Sequence, residues 1–130
     1  SNLKGIFAKN ADFSEAKLEK ASLVNSNLGN TNFKSAYLFY TKFSKSNLKN
    51  TDFSDSNLKF ASLYCTNLEN ANFANATLTY TNFCFSRIKN TNLETNLLDA
   101  FMIFRWAYFS SFYDYMLKIQ DNVLSMKKDN

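Results

Sequence analysis

A strict period of five runs through the first three quarters of this chain, and few folds can accept it. From Ser1 to Thr91 every fifth residue except Ile6 is small, as in Ala11, Ala16, Ala21, Ser26, Thr31, Ala36, Thr41 and Ser46. Two places after each stands a large apolar residue, as in Phe13, Leu18, Leu23, Leu28, Phe33, Leu38, Phe43 and Leu48. A period of five fits neither the 3.6-residue turn of an α-helix nor the alternation of an open strand. It means that each block of five turns the same two side chains inward, as a solenoid does. No loop interrupts the register.

A second period gives the length of one coil. Phe13, Phe33, Phe53 and Phe73 lie twenty apart, as do Leu18, Leu38, Leu58 and Leu78. Leu28, Leu48, Leu68 and Ile88 form a third column, and Leu23, Phe43, Leu63 and Phe83 a mixed fourth. Four blocks per coil therefore set like above like at a strand spacing of roughly 4.8 Å. The two Phe-bearing columns then face each other across a narrow interior, and small first-position residues leave room for them.

Composition matters most for the turns. The chain has 130 residues with no Pro and only two Gly, although a chain that turns so often ordinarily needs both. Asn10, Asn30, Asn50, Asn70 and Asn90 recur at the fifth position of one side. Asn tolerates the left-handed conformation that the third residue of a type II turn requires. That side is expected to be a stack of type II turns, with amides bonding along it. An ice- or sugar-binding Asn ladder fits less well, because the preceding residues Lys9, Gly29, Lys49, Glu69 and Lys89 are mixed and charged.

Blocks such as TNFKS, TDFSD, SNLKN and ANFAN look like the A(D/N)LXX unit of pentapeptide-repeat proteins. The resemblance covers about residues 1–98. It implies a right-handed, four-sided β-helix of about five coils, with first and third positions inside and the rest outside. The chain departs from the pattern at Ile6, Phe7 and Ala8. That first coil is expected to be an end, with Phe7 covering the hole left by Ala8. The chain starts at Ser1, without Met and already in register, which is how a fragment reads.

A solenoid must close its ends. From Asp99 the period is lost, and AFMIFRWAYF follows. This reads as a short helix, apolar on most sides and buried on the last coil. It is too short and too charged, with Asp99 and Arg105, to span a membrane. Ser111 and Asp114 suggest a capping box for a second helix over about 112–126. The fold expected is thus an all-β solenoid with C-terminal helices: repeats over 1–98, and a cap over 99–130. In relatives such a segment commonly makes a two-fold dimer, so the resemblance implies a homodimer here, through Phe112, Tyr115, Met116, Ile119 and Val123.

The outward positions are mostly Asn, Lys, Ser, Asp and Glu, with one departure. Tyr40, Phe60 and Tyr80 recur at the fifth position of one side, helped by Tyr37 and Phe39, while Tyr64 and Phe85 lie on the next side. Exposed aromatic patches mark contact surfaces. The alternatives are that the C-terminal helices fold over them, or that stacked rings only stabilise the ladder.

Catalysis is not expected. The chain has no His, so the usual base and metal ligand are missing. Asp12 with Asp52, and Glu15 with Asp55, stand two coils apart, roughly 10 Å, at the upper margin for a hydrolytic carboxylate pair. There is no phosphate-binding Gly loop and no zinc spacing, so no cofactor or metal is expected. Cys65 and Cys84 come close enough for a disulfide. The absence of an evident secretory leader instead suggests two thiols in a reducing compartment, the cytoplasm, or a host cell for a secreted effector.

The functional reading is a non-enzymatic interaction module with an unidentified protein partner. The resemblance also implies a second reading, since some bacterial members imitate DNA and bind DNA gyrase or topoisomerase IV. Charge opposes it: residues 1–95 carry eleven Lys/Arg against seven Asp/Glu, where a DNA mimic needs an acidic surface. Projecting loops are missing as well. Direct nucleic-acid binding is weaker still, because Glu69 and Gly29 break the Lys columns and no basic groove forms.

Overall fold

In the computed structural model, residues 1–93 are described, and they coil as an all-β solenoid. The expected cap helices and the dimerisation residues Phe112, Tyr115, Met116, Ile119 and Val123 lie outside the described residues. Parallel bridges join second-position residues twenty apart, from Asn2–Ser22 through to Asn67–Arg87. Each coil therefore has four faces, named here by their blocks. The first face starts at Ser1, Ala21, Thr41, Ala61 and Thr81, and the second at Ile6, Ser26, Ser46, Thr66 and Ser86. The third starts at Ala11, Thr31, Thr51, Ala71 and Thr91, and the fourth at Ala16, Ala36, Ser56 and Ala76.

The interior is filled from the third positions. Leu23, Leu28, Phe33, Leu38, Phe43, Leu48, Phe53, Leu58, Leu63, Leu68, Phe73, Leu78 and Phe83 are completely buried, each such side chain stabilising by about 1.5–3 kcal/mol. Phe13, Phe33, Phe53 and Phe73 stack on the third face with centroids 5.1, 5.3 and 5.1 Å apart. Phe43 on the first face inserts edge-on between Phe33 and Phe53, at 5.5 and 5.8 Å. The Phe columns do face each other.

The backbone bonds follow one rule per position. Third-position N–H groups donate to second-position carbonyls one coil on, as Phe33 does to Asp52 at 2.7 Å, and fifth-position N–H groups donate to fourth-position carbonyls, as Asn30 does to Lys49 at 2.9 Å. Second-position N–H groups donate backwards, as Asn32 does to Ala11 at 3.0 Å. First-position N–H groups close the turn, as Thr41 does to Leu38 at 3.0 Å. The fourth-position N–H is left over, and where the second position is Asp or Asn its side chain takes it. Asp12 accepts from Ser14 at 2.9 Å, Asn32 from Lys34 at 2.8 Å, and Asn57 from Lys59 at 3.1 Å. That is why Asp or Asn recurs at the second position: its side chain makes a local turn bond to the backbone two residues on.

One expectation holds more widely than stated, and one needs correction. The fifth residue is left-handed on the Asn side, as expected, and on every other side too. Every corner from Gly5 to Asn90 has φ between 55° and 69°, including Glu15, Lys20, Tyr40, Lys45, Phe60, Cys65 and Phe85. The closing bond and the φ sign make these type II turns. Inter-coil bonds hold the corner against a local cost of about 1–2 kcal/mol, so neither Gly nor Asn is obligatory there. Phe7, in turn, does not cover Ala8. It stands at an outward second position, 84% exposed, because the pleat turns its side chain away from the interior.

Two corners close differently. Ser26 N–H donates to Ser46 Oγ at 3.0 Å, and that hydroxyl donates to the Leu23 carbonyl at 2.7 Å. Ser46 thus bridges the turn of the coil before it, and Ser26 accepts likewise from Ile6 N–H at 3.2 Å. The inward serines of the second face are turn components as well as small residues.

Candidate interaction surface

Most outward positions are polar, and the exposed large apolar side chains are Phe7, Tyr37, Tyr40, Phe60, Tyr80 and Phe85. At Tyr40, Phe60 and Tyr80, φ is 60°, 61° and 58°, so each corner throws its side chain out at the same angle. The rings then stack one per coil. Tyr40 and Phe60 lie 4.8 Å apart and 5° from parallel, and Phe60 and Tyr80 lie 5.1 Å apart and 14° from parallel. Phe39 meets Tyr40 and Phe60 edge-on at 4.5 and 5.9 Å. Lys59 Nζ sits 5.7 Å from the Phe60 centroid. Tyr40, Phe60 and Tyr80 are 43%, 36% and 56% exposed, and Tyr37 on the same face is 49% exposed.

The fold thus gathers Phe39, Tyr40, Phe60 and Tyr80 into one ridge. Tyr64 and Phe85 do not join it. They pair edge-on at 5.8 Å at the other end of the first face, so the sequence candidates form two groups at different corners. Around Tyr64 the phenol pKa is raised, first by a hydrogen bond with the Cys65 thiol and then by the charge of Cys65. Asp12 is lowered by its bonds from the Ser14 N–H and hydroxyl.

Ring geometry limits what the ridge can bind. Between Tyr40 and Tyr80 the stacked rings use their faces on one another and present their edges outward, so a base or a sugar ring, which binds face-on, finds no gap between them. Edges, with a Phe and a Lys stem beside them, suit apolar side chains of a protein. The Asn side is a self-satisfied ladder by contrast: Asn70 Nδ2 donates to Asn50 at 3.0 Å, and Asn90 Nδ2 to Asn70 at 3.2 Å. Among the described residues no group of three His, Cys, Asp or Glu side chains comes together to hold a metal. No helix among them is long and apolar enough to cross a membrane.

A four-faced coil built on five-residue blocks, with an Asx side chain closing the fourth amide, defines a repeat solenoid class. The sequence pattern named Pentapeptide repeats matches in eight copies over residues 1–30, 16–55, 31–64 and 56–94. The chain belongs to the pentapeptide-repeat family. By sequence, no curated protein matches it. Among solved structures it is similar to the pentapeptide repeat protein Rfr23 of the cyanobacterium Cyanothece 51142, with 27% identity and a TM-score of 0.69, covering 71% of this chain and 76% of that one. It is also similar to HetL of Nostoc sp. strain PCC 7120, involved in heterocyst differentiation regulation, with 28% identity and a TM-score of 0.64. A third likeness, to the plasmid-mediated fluoroquinolone resistance protein QnrB1, has 21% identity and a TM-score of 0.58, and shows the fold alone. The chain spans 40% of HetL and 48% of QnrB1. These matches indicate no enzymatic family.

Proposed function

We propose that this chain is a non-enzymatic protein-interaction module, a rigid rod whose fourth face docks the apolar side chains of a protein partner. The observation that carries the reading is the exposed Tyr40–Phe60–Tyr80 ridge, where rings from three successive coils stack into one surface. Tyr37 and Phe39 extend it, while Tyr64 and Phe85 form a secondary contact. Residues 1–98 serve as the rod. Residues 99–130 serve as a helical cap and, through Phe112, Tyr115, Met116, Ile119 and Val123, as the contact of a homodimer. The setting that suits two thiols is a reducing one, the cytoplasm of a bacterium.

Affinity capture from source cells tests the ridge, comparing the full chain with a Phe60→Asn/Tyr80→Asn variant. A specific partner should be retained by the first and lost by the second; retention by both would sink the assignment. Light scattering of the full chain against Met116→Asp/Ile119→Asp tests the dimer, which should become monomeric. The gyrase or topoisomerase IV reading rests on the family alone and is opposed by the basic repeat body. Protection of gyrase in a supercoiling assay at micromolar protein would revive it.

A further inference from the structure

One cluster of nucleophilic and titratable side chains stands apart from the ridge, at the corner between the first and second faces. Cys65 is the fifth residue of its block in the fourth coil, and Cys84 is the fourth residue of the block above it. Cys65 N–H donates to the Cys84 carbonyl at 2.9 Å. That bond fixes the two backbones. Residues 65 and 85 are in register at one strand spacing, and stepping back to 84 gives a Cα separation of about 6 Å, inside the roughly 4.4–6.8 Å that a disulfide spans. The register does not depend on the cysteines, because Leu63 N–H donates to Asn82 at 2.7 Å on one side and Arg87 N–H to Thr66 at 2.8 Å on the other. Both residues are half-buried thiols. Tyr64 shares this corner, and its phenol pKa is raised chiefly by Cys65 and to a smaller degree by Cys84.

We propose that Cys65 and Cys84 form a modification site, a dithiol that a low-molecular-weight disulfide converts into an intrachain disulfide stapling the fourth coil to the fifth. The Cys65 thiolate attacks one sulfur of the small disulfide, forming a mixed disulfide and releasing one small thiolate. The Cys84 thiolate then attacks the Cys65 sulfur and displaces the second small thiolate. The two protons lost by the cysteines end on the two released thiolates. The protein pair is oxidised by two electrons, and the small disulfide is reduced to two thiols. The half-buried position favours closure over a lasting mixed adduct, because a bulky adduct at Cys65 sits beside a second cysteine whose backbone is held within disulfide reach.

The test incubates the full chain with oxidised glutathione and follows it by intact-mass and non-reducing peptide analysis. The expected product has lost two hydrogens, retains no glutathione, yields a Cys65–Cys84 cross-linked peptide, and reverts with dithiothreitol. Cys84→Ser should instead keep one glutathione on Cys65. Two glutathiones retained per chain, cross-links between chains only, or no reaction of the folded protein would each overturn the proposal. Tyrosine titration gives a second readout. The phenol that titrates above its ordinary range should move down on oxidation, when its thiol partner is consumed. Tyr64→Phe should remove that component, and an unmoved phenol would overturn the placement of Tyr64 on the pair.

Discussion

Two aromatic columns run along this rod in the same way and do opposite things. Inside, Phe33, Phe53 and Phe73 stack at 5.3 and 5.1 Å, 7° and 8° from parallel. Outside, Tyr40, Phe60 and Tyr80 stack at 4.8 and 5.1 Å, 5° and 14° from parallel. The backbone repeat sets both stacks; position within the block sets burial. The inner rings are fully buried, while the outer ones keep 36–56% of their surface. Stacking alone therefore does not distinguish a core from a contact surface. Water does.

The largest expected effect breaks the inner column. Phe53→Ala removes a ring stacked on Phe33 and Phe73 and touched edge-on by Phe43, and should cost about 3–5 kcal/mol in urea denaturation. Ser46→Ala comes next. It leaves the Ser26 N–H and the Leu23 carbonyl without their bridge, an expected loss of about 1–3 kcal/mol by the same measurement. Phe60→Asn in the outer column should cost less than Phe53→Ala. It loses three exposed ring pairs, with Phe39, Tyr40 and Tyr80, at the low end of about 0.5–1.5 kcal/mol each, and regains part of a left-handed cost of about 1–2 kcal/mol. A loss as large as that of Phe53→Ala would make the outer ridge structural and end the contrast.

The smallest effect concerns pH. Asp12 has its folded pKa lowered by the bonds from Ser14. Its contribution is therefore complete above the unfolded carboxylate value and disappears as pH falls through the folded one. Thermal melts stepped through acid should show that decline in the parent chain, and Asp12→Asn should lack it while keeping the turn bond.

The coil was largely legible in the residues, because a period of five inside a period of twenty leaves few alternatives. Columns of Phe and Leu could be read straight from the spacing, and so could the aromatic ridge. The left-handed corners at Lys20, Tyr40 and Cys65 could not, since local propensity argues against them. What holds them is a bond from the fifth-position N–H to a carbonyl nineteen residues on, as between Tyr40 and Lys59 at 3.0 Å. The Ser46 bridge was hidden for a similar reason, its acceptor Leu23 being twenty-three residues away. Phe7 misled because apolar character was read as burial, while the pleat decides which way a side chain points. The spacing also set Tyr64 and Phe85 on the next side from the ridge, where they pair edge-on.

The uniform corner has a consequence for how such a protein can change over time. Because backbone bonds hold φ near 60° whether the residue is Asn, Lys, Glu, Tyr, Phe or Cys, what the corner displays is separated from what keeps the chain coiled. A substitution there rewrites one rung of a ruler graduated in strand spacings and leaves the graduations in place. Recognition can drift along such a rod, rung by rung, without the lineage ever passing through an unfolded intermediate.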